Sequence, residues 1–505
     1  MCLVLIISRL LAAQINHIQS AARLLNEGQV VRAEAEARQA LQSPNTRPLA
    51  LAMLGTIRLQ QGKYNESTNF LTQALALNPN LIGARTTLGD AYLVQGKLQL
   101  AENTFRETLK LDPSNFNARF DLVKVETSLG KFQDSLETAR PILPRLLKSD
   151  ESILVLATDY GALGNKEELR NLVEDWQRLP EPTNESSLAF SELLKFYEMK
   201  EEARDILDLA ETRIAAHPTS ALALRLGNDY LGLGVLARAE RYSNLALSLA
   251  PDCTACYETL AQIAEKQDDS EKALAYLVAA KKQDPENPEI LFEFGKACLK
   301  RNLVDDALAA LTKAVTLKPD QDSYVYVLGS ANVAHNNLPG AAKLFGQLLQ
   351  KHPHDAVLNY ALGAVYYLQG KYADSEASLK QSLAIQPDQI AASYYLGLTY
   401  EATGNEEHAI TVFRGLLSRD PQHAASYVKL GGILIRKHEY DEARQDLERA
   451  VSLDPESVEA HYQLGVLLRR LGKNGEAETQ FAQSRKLEAE QREQKDLRLR
   501  LLLPD

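Results

Sequence analysis

Between Ile82 and Asn115 the apolar positions follow two short helical periods separated by a turn. Leu88, Gly89 and Tyr92 stand at positions 7, 8 and 11 of this stretch, then Gly96 at 15, Ala101 at 20, Phe105 at 24 and Pro113 at 32. With position 4, the first three form the i, i+3, i+4, i+7 stripe of one helix. The same positions return at Leu362-Gly363, Tyr366, Gly370 and Pro387, and again at Leu396-Gly397, Tyr400, Gly404, Ala409, Phe413 and Pro421. The chain therefore repeats with a period of about 34 residues. Small residues at positions 8 and 20 let two helices approach closely, and the aromatic at 24 (Phe105, Phe345, Phe413, Phe481) fills the space left between them. Gly at position 15 ends the first helix with a left-handed residue. Pro251, Pro285, Pro319, Pro353, Pro387, Pro421 and Pro455, equally spaced by this same period, stop the second. One pair leaves its apolar stripe uncovered, and stacking the next pair covers it.

This pattern, an L-G pair, an aromatic three residues on, then Ala, Phe and a late Pro, resembles the tetratricopeptide repeat. The resemblance covers nearly the whole chain and implies an all-α fold, a right-handed α-solenoid (superhelix) of about fourteen tandem helix-turn-helix repeats between residues 14 and 491. It is strongest over 48–115 and 220–491. Residues 14–183 are read as a first block, irregular from 116, where Pro141, Pro144, Pro180 and Pro182 intrude and the spacing slips. Residues 184–219 read as an irregular repeat and hinge, 220–491 as a second, regular block, and 492–505 as a capping helix. The apolar segment 1–13 is either the remainder of an export signal or a helix covering the first repeat.

Composition agrees with a helical array and narrows the function. The 505 residues are 45% hydrophobic with only 19 Pro and 26 Gly. A net charge of −11 with acids and bases interspersed gives no footprint for phosphate-backbone binding, so nucleic acid is not expected as a partner. No apolar run is long enough to cross a bilayer, so no integral membrane segment is expected. Four cysteines are too few for a disulfide-built scaffold and leave the compartment open between cytoplasm and periplasm.

Catalytic chemistry finds little purchase, and neither a catalytic residue nor a cofactor is expected. HExxH, GxSxG and EF-hand patterns are absent, and the nine histidines are scattered. His352 and His354 flank Pro353 in an inter-repeat turn, where a metal would need further ligands. Gly62-Lys63 and its equivalents lack the Ser or Thr that a phosphate-binding loop places after Lys. Cys253 and Cys256 lie where a helix begins, and three readings stay open: two packed thiols, a local disulfide, or a redox pair.

Besides its packing stripe, the first helix of each unit has a second face at positions 2, 5, 9 and 12, which in tetratricopeptide folds lines the concave groove. Position 5 carries Phe292, Tyr326, Tyr360, Tyr394, Val428 and Tyr462 in successive units, and Tyr367 stands beside them at position 12. Tyr366 and Tyr400, at position 11, are expected to pack between repeats. Tyrosine offers a large contact area, a polar tip and little entropy to lose, which suits a wet binding surface. The earlier block reads Ala52, Thr86, Phe120, Leu154, Leu224 and Glu258 at position 5, so packing alone does not demand an aromatic there, and Phe120 is the alternative anchor. Position 9 lacks the Lys, Arg and Asn set with which some co-chaperone members clamp a terminal carboxylate.

The expected function is a non-catalytic scaffold that binds partner proteins or extended peptides in the groove. A regulatory subunit of a separate enzyme complex and an exported envelope-assembly factor are the alternatives.

Overall fold

The computed structural model describes the backbone of residues 16–502 and the side chains of residues 16–491. The expected segment 1–13 therefore lies outside the described residues, as do the side chains of the expected capping helix 492–505. Helices joined by short turns make up the described chain, with no strand among the described residues.

Two compact units divide the chain, one ending at Thr259 and the other beginning at Leu260, with the boundary inside helix Thr254–Lys266. In the first unit, Arg47–Gln60 pairs with Tyr64–Leu77, Ile82–Val94 with Leu98–Leu111, and Ser220–Gly232 with Leu236–Leu249. In the second, Ala356–Leu368 pairs with Tyr372–Ile385, Ile390–Ala402 with Glu406–Arg419, and Val458–Arg470 with Asn474–Leu502. First helices are mostly 13 residues long and second helices mostly 14.

The turn inside each pair is set by one left-handed residue. Gly62 has φ 71°; its N–H donates to the Leu59 carbonyl and the next N–H, of Lys63, reaches back to Arg58. This double bond is the Schellman closure that satisfies the last carbonyls of a helix. Among the described residues nine glycines hold the position, and five units use Glu198, Asp268, Asn302, Asn336 and His438 instead. One residue for each of fourteen pairs results, which matches the expected repeat number.

These residues also locate where the spacing changes along 116–219. The spacing of the left-handed turns stays constant through Gly130, Gly164 and Glu198 and lengthens once, by two positions, between Glu198 and Gly234. The extra length goes into helix Lys200–Ala216, which has 17 residues. Pro141 and Pro144 break one second helix into Phe132–Ala139, Arg140–Ile142 and Leu143–Leu146. Each proline takes one of the first positions of its short segment, where its missing N–H costs no helical bond, so the period survives.

Packing within a pair depends on the small residue at position 8. A Cβ added to Gly397 would lie 2.5 Å from the Phe413 ring, and one on Gly89 would lie 2.4 Å from Phe105. Both rings are fully buried, so the glycine is a matter of volume rather than of backbone angle. Over residues 123–206 a single core cluster runs from Val123 to Ile206 and holds the chain's one tryptophan, Trp176, whose ring centroid is 4.7 Å from that of Phe190.

Candidate protein-binding site

The second unit brings several of the position-5 and position-12 aromatics together. Tyr395, on helix Ile390–Ala402, stands at the centre: its ring is 6.0 Å from Tyr360, 5.7 Å from Tyr367 and 6.1 Å from Tyr394, edge-to-face in each case. Tyr367 also meets Tyr372 at 5.9 Å. The period explains this meeting, since the first helices of adjacent units present the same face side by side.

The rings are half-buried. Tyr394 rests on Phe413 at 6.0 Å and His423 at 5.1 Å, so one side belongs to the core while the other remains accessible. Burial pushes the Tyr394 phenol up to about 12, helped by the Glu459 carboxylate, and burial likewise raises Tyr326, Tyr360 and Tyr367. All four are neutral hydroxyls at physiological pH. Two nearby acids are already paired, Glu459 with Lys429 at 2.5 Å and Glu401 with Arg436 at 2.9 Å.

The remaining expected residues are more separate. Phe292 stacks on Tyr324 at 4.4 Å with the Lys296 ammonium 5.1 Å from its ring, and Tyr326 lies 5.4 Å from Phe345. Val428 is buried and leaves a gap in the aromatic series. Tyr462 is 52% exposed and 5.7 Å from Phe481. Phe120 belongs to the first unit, where it stacks on Phe116 at 6.1 Å beneath the Lys124 ammonium. Tyr400 is buried and its hydroxyl donates to Glu376, while Tyr366 is partly buried against the core. Tyr395 escaped the sequence reading because it stands at position 6, outside the set of positions that lines the groove face.

Elsewhere, His352 accounts for itself as a surface partner of Asp322 at 2.6 Å, and no His, Cys, Asp and Glu cluster suited to a metal occurs among the described residues. Cys253 and Cys256 are joined in a disulfide, the second of the three readings their sequence allows. Cys256 is buried and Cys253 partly exposed, at the start of helix Thr254–Lys266. Cys298 is a buried free thiol, pushed up to about 12 by burial. No described helix is long and apolar enough to cross a membrane.

Helix pairs repeated at this regular spacing define an α-helical repeat protein. Three repeat profiles match the sequence: one described as TPR repeat over 431–472, and two described as tetratricopeptide repeat, over 86–145, 224–288 and 258–322 and over 58–108, 333–392 and 366–431. The chain belongs to the tetratricopeptide repeat family. Its fold is accordingly an all-α solenoid, and its general role is protein interaction. Among solved structures, it is similar to the APC/C hetero-tetramer Cut9-Hcn1, at 16% identity over 89% of this chain and 95% of that one, with TM-score 0.41. Yeast Tom70 is similar at 16% identity over 95% of this chain and 96% of that one, with TM-score 0.35. The MamA protein is similar at 27% identity over 34% of this chain and 94% of that one, with TM-score 0.31. No curated protein matches the sequence.

Proposed function

We propose that the protein is a non-catalytic scaffold whose second unit binds an extended segment of a partner protein along its first-helix face. The observation that carries this is the half-exposed tyrosine cluster of Tyr360, Tyr367, Tyr394 and Tyr395. Phe292, Tyr326 and Tyr462 extend the same face to either side, and Phe120 offers the corresponding anchor in the first unit. Neutral phenols with one free side combine apolar contact with a hydrogen-bonding tip, which favours a protein segment over a charged polymer.

Each aromatic covered by a ligand contributes about 1.5–3 kcal/mol before ordering costs, so two or three such contacts support micromolar binding. Cross-linking with the intact chain identifies the partner. Tyr360→Ala with Tyr367→Ala then weakens its binding by about tenfold or more, roughly 1.4 kcal/mol, with helical content retained. Undiminished binding by a folded double variant refutes the reading.

Of the alternatives, the exported factor has a specific observation in its favour. The Cys253–Cys256 disulfide suits an oxidising compartment, because reducing cytosol keeps such pairs as thiols. Thiol-blocking purification followed by peptide mapping tests it: Cys253 and Cys256 recovered as a disulfide agree with export, and both recovered as blocked free thiols refute it.

A further inference from the structure

The last repeat carries a feature that the aromatic face alone does not explain. A cleft of about 450 Å³ between helices Val458–Arg470 and Asn474–Leu502 is lined by Tyr462, Val466, Arg469, Arg470, Phe481 and Arg485. Three arginines converge there in a chain whose net charge is −11, so the local sign opposes the global one.

These arginines are unequally committed. Arg485 is paired with Glu478 at 2.6 Å, and that carboxyl is held below its usual range by Arg485 and more weakly by Arg469. Arg469 holds its guanidinium carbon over the Phe481 ring, 4.4 Å from the centroid, and Arg470 reaches only the Ile435 carbonyl at 3.5 Å. Neither Arg469 nor Arg470 has an ion-pair partner among the described residues. A guanidinium held by an aromatic ring and by no carboxylate has N–H groups left for one, and its planar fork suits two-point recognition better than a lysine does. Beneath the charges, Phe481 is buried while Tyr462 and Val466 stand at the groove positions 5 and 9. The cleft thus offers an anion site beside an apolar floor.

We propose that this cleft reads an aspartate or glutamate side chain of the bound protein segment, with an apolar neighbour of that acid resting on Tyr462 and Val466. The proposal rests on the reading that partners lie along the first-helix face, and it adds a polarity and a register to that reading: the acidic end of the segment lies at the last repeat. An apolar floor distinguishes this occupant from nucleic acid, which the chain's overall negative charge also repels.

Random dodecapeptides displayed on phage are the probe, selected against the intact chain and against its Arg469→Gln, Arg470→Gln variant. Peptides selected on the unmodified chain should share an acid at a fixed distance from an apolar residue. A synthetic, C-terminally amidated member should lose about tenfold in affinity when its Glu becomes Gln, the variant should show the same loss, and added salt should weaken the complex. Arg469→Lys, which keeps the charge without the fork, should fall between. Equal acid content in the two selected pools, a neutral Glu→Gln change, or a requirement for a free terminal carboxylate overturns the proposal. Acid preference that emerges only after residues 492–505 are removed also overturns it, since the chain's own tail is then the occupant. Binding that depends on Tyr360 and Tyr367 but not on the arginines overturns this inference and leaves the groove reading standing; binding that depends on neither overturns both.

Discussion

Asp159 gives the sharpest test of how this core is held together. It is fully buried on helix Asp150–Ala162, accepts a hydrogen bond from the Ser135 hydroxyl at 2.6 Å, and its other oxygen has no partner among the described residues. Burial pushes its carboxyl up from 3.8 to about 6, the Ser135 hydrogen bond and the nearby Thr127 hydroxyl oppose the rise, and the Glu126 carboxylate adds to it. Because the folded value lies above the unfolded one, the native state binds more protons across this window. The contribution of Asp159 is therefore most favourable below pH 3.8 and is lost as pH rises through about 6. A change of this size corresponds to roughly 3 kcal/mol as an upper figure. The chain contains its own alternative: in the second unit Thr399 takes the equivalent place, and its hydroxyl meets Ser375 at 3.0 Å. Asp159→Asn and Asp159→Thr should each stabilise the protein at pH 7 by about 1–2 kcal/mol and lose that advantage near pH 4. Urea unfolding followed by the fluorescence of Trp176 reads this directly, since the single tryptophan belongs to the same core cluster as Leu156 and Ala157 beside Asp159. A stability difference that does not change between pH 4 and 7 would refute the reasoning.

Two glycines on first helices should respond in opposite directions. Gly397→Ala drives a Cβ into the Phe413 ring and should cost about 1–3 kcal/mol, whereas Gly83→Ala enters open space and should gain up to about 1 kcal/mol, both read by thermal melting. The hinge proposed over 184–219 predicts that limited proteolysis cuts there first. First cleavage elsewhere, for instance at the turn around Pro251, counts against it.

The fold was legible because its determinants are local and periodic. Gly62, Gly96, Gly370 and their equivalents mark the left-handed turns openly, and the prolines mark the second-helix ends. Glu198, Asp268, Asn302, Asn336 and His438 perform the same turn without announcing it, since neighbouring helices hold them in a conformation that their side chains only tolerate. Pro141 and Pro144 misled in the other direction, because a proline at the start of a short helical segment looks in sequence like a break in the repeat. At the candidate site the face was readable from position 5, but the three-way meeting around Tyr395 depends on how adjacent helices present their rings. The arginine cleft was hidden for a related reason: Arg469, Arg470 and Arg485 lie on two different helices and converge only when these pair.

The single lengthening between Glu198 and Gly234 also governs how the chain can be shortened. Anywhere from Gly28 to Glu198, or from Gly234 to Gly472, excising one repeat length brings one left-handed turn into the place of the next and leaves both neighbours with a complete partner. An excision that spans the lengthened helix must take two positions more, since a cut of the ordinary length would leave a surplus in a helix that has to meet its neighbour at a fixed turn. Modular loss of repeats is thus in phase on either side of this interval and out of phase across it, which makes helix Lys200–Ala216 the place where, among the described residues, the spacing of the turns changes.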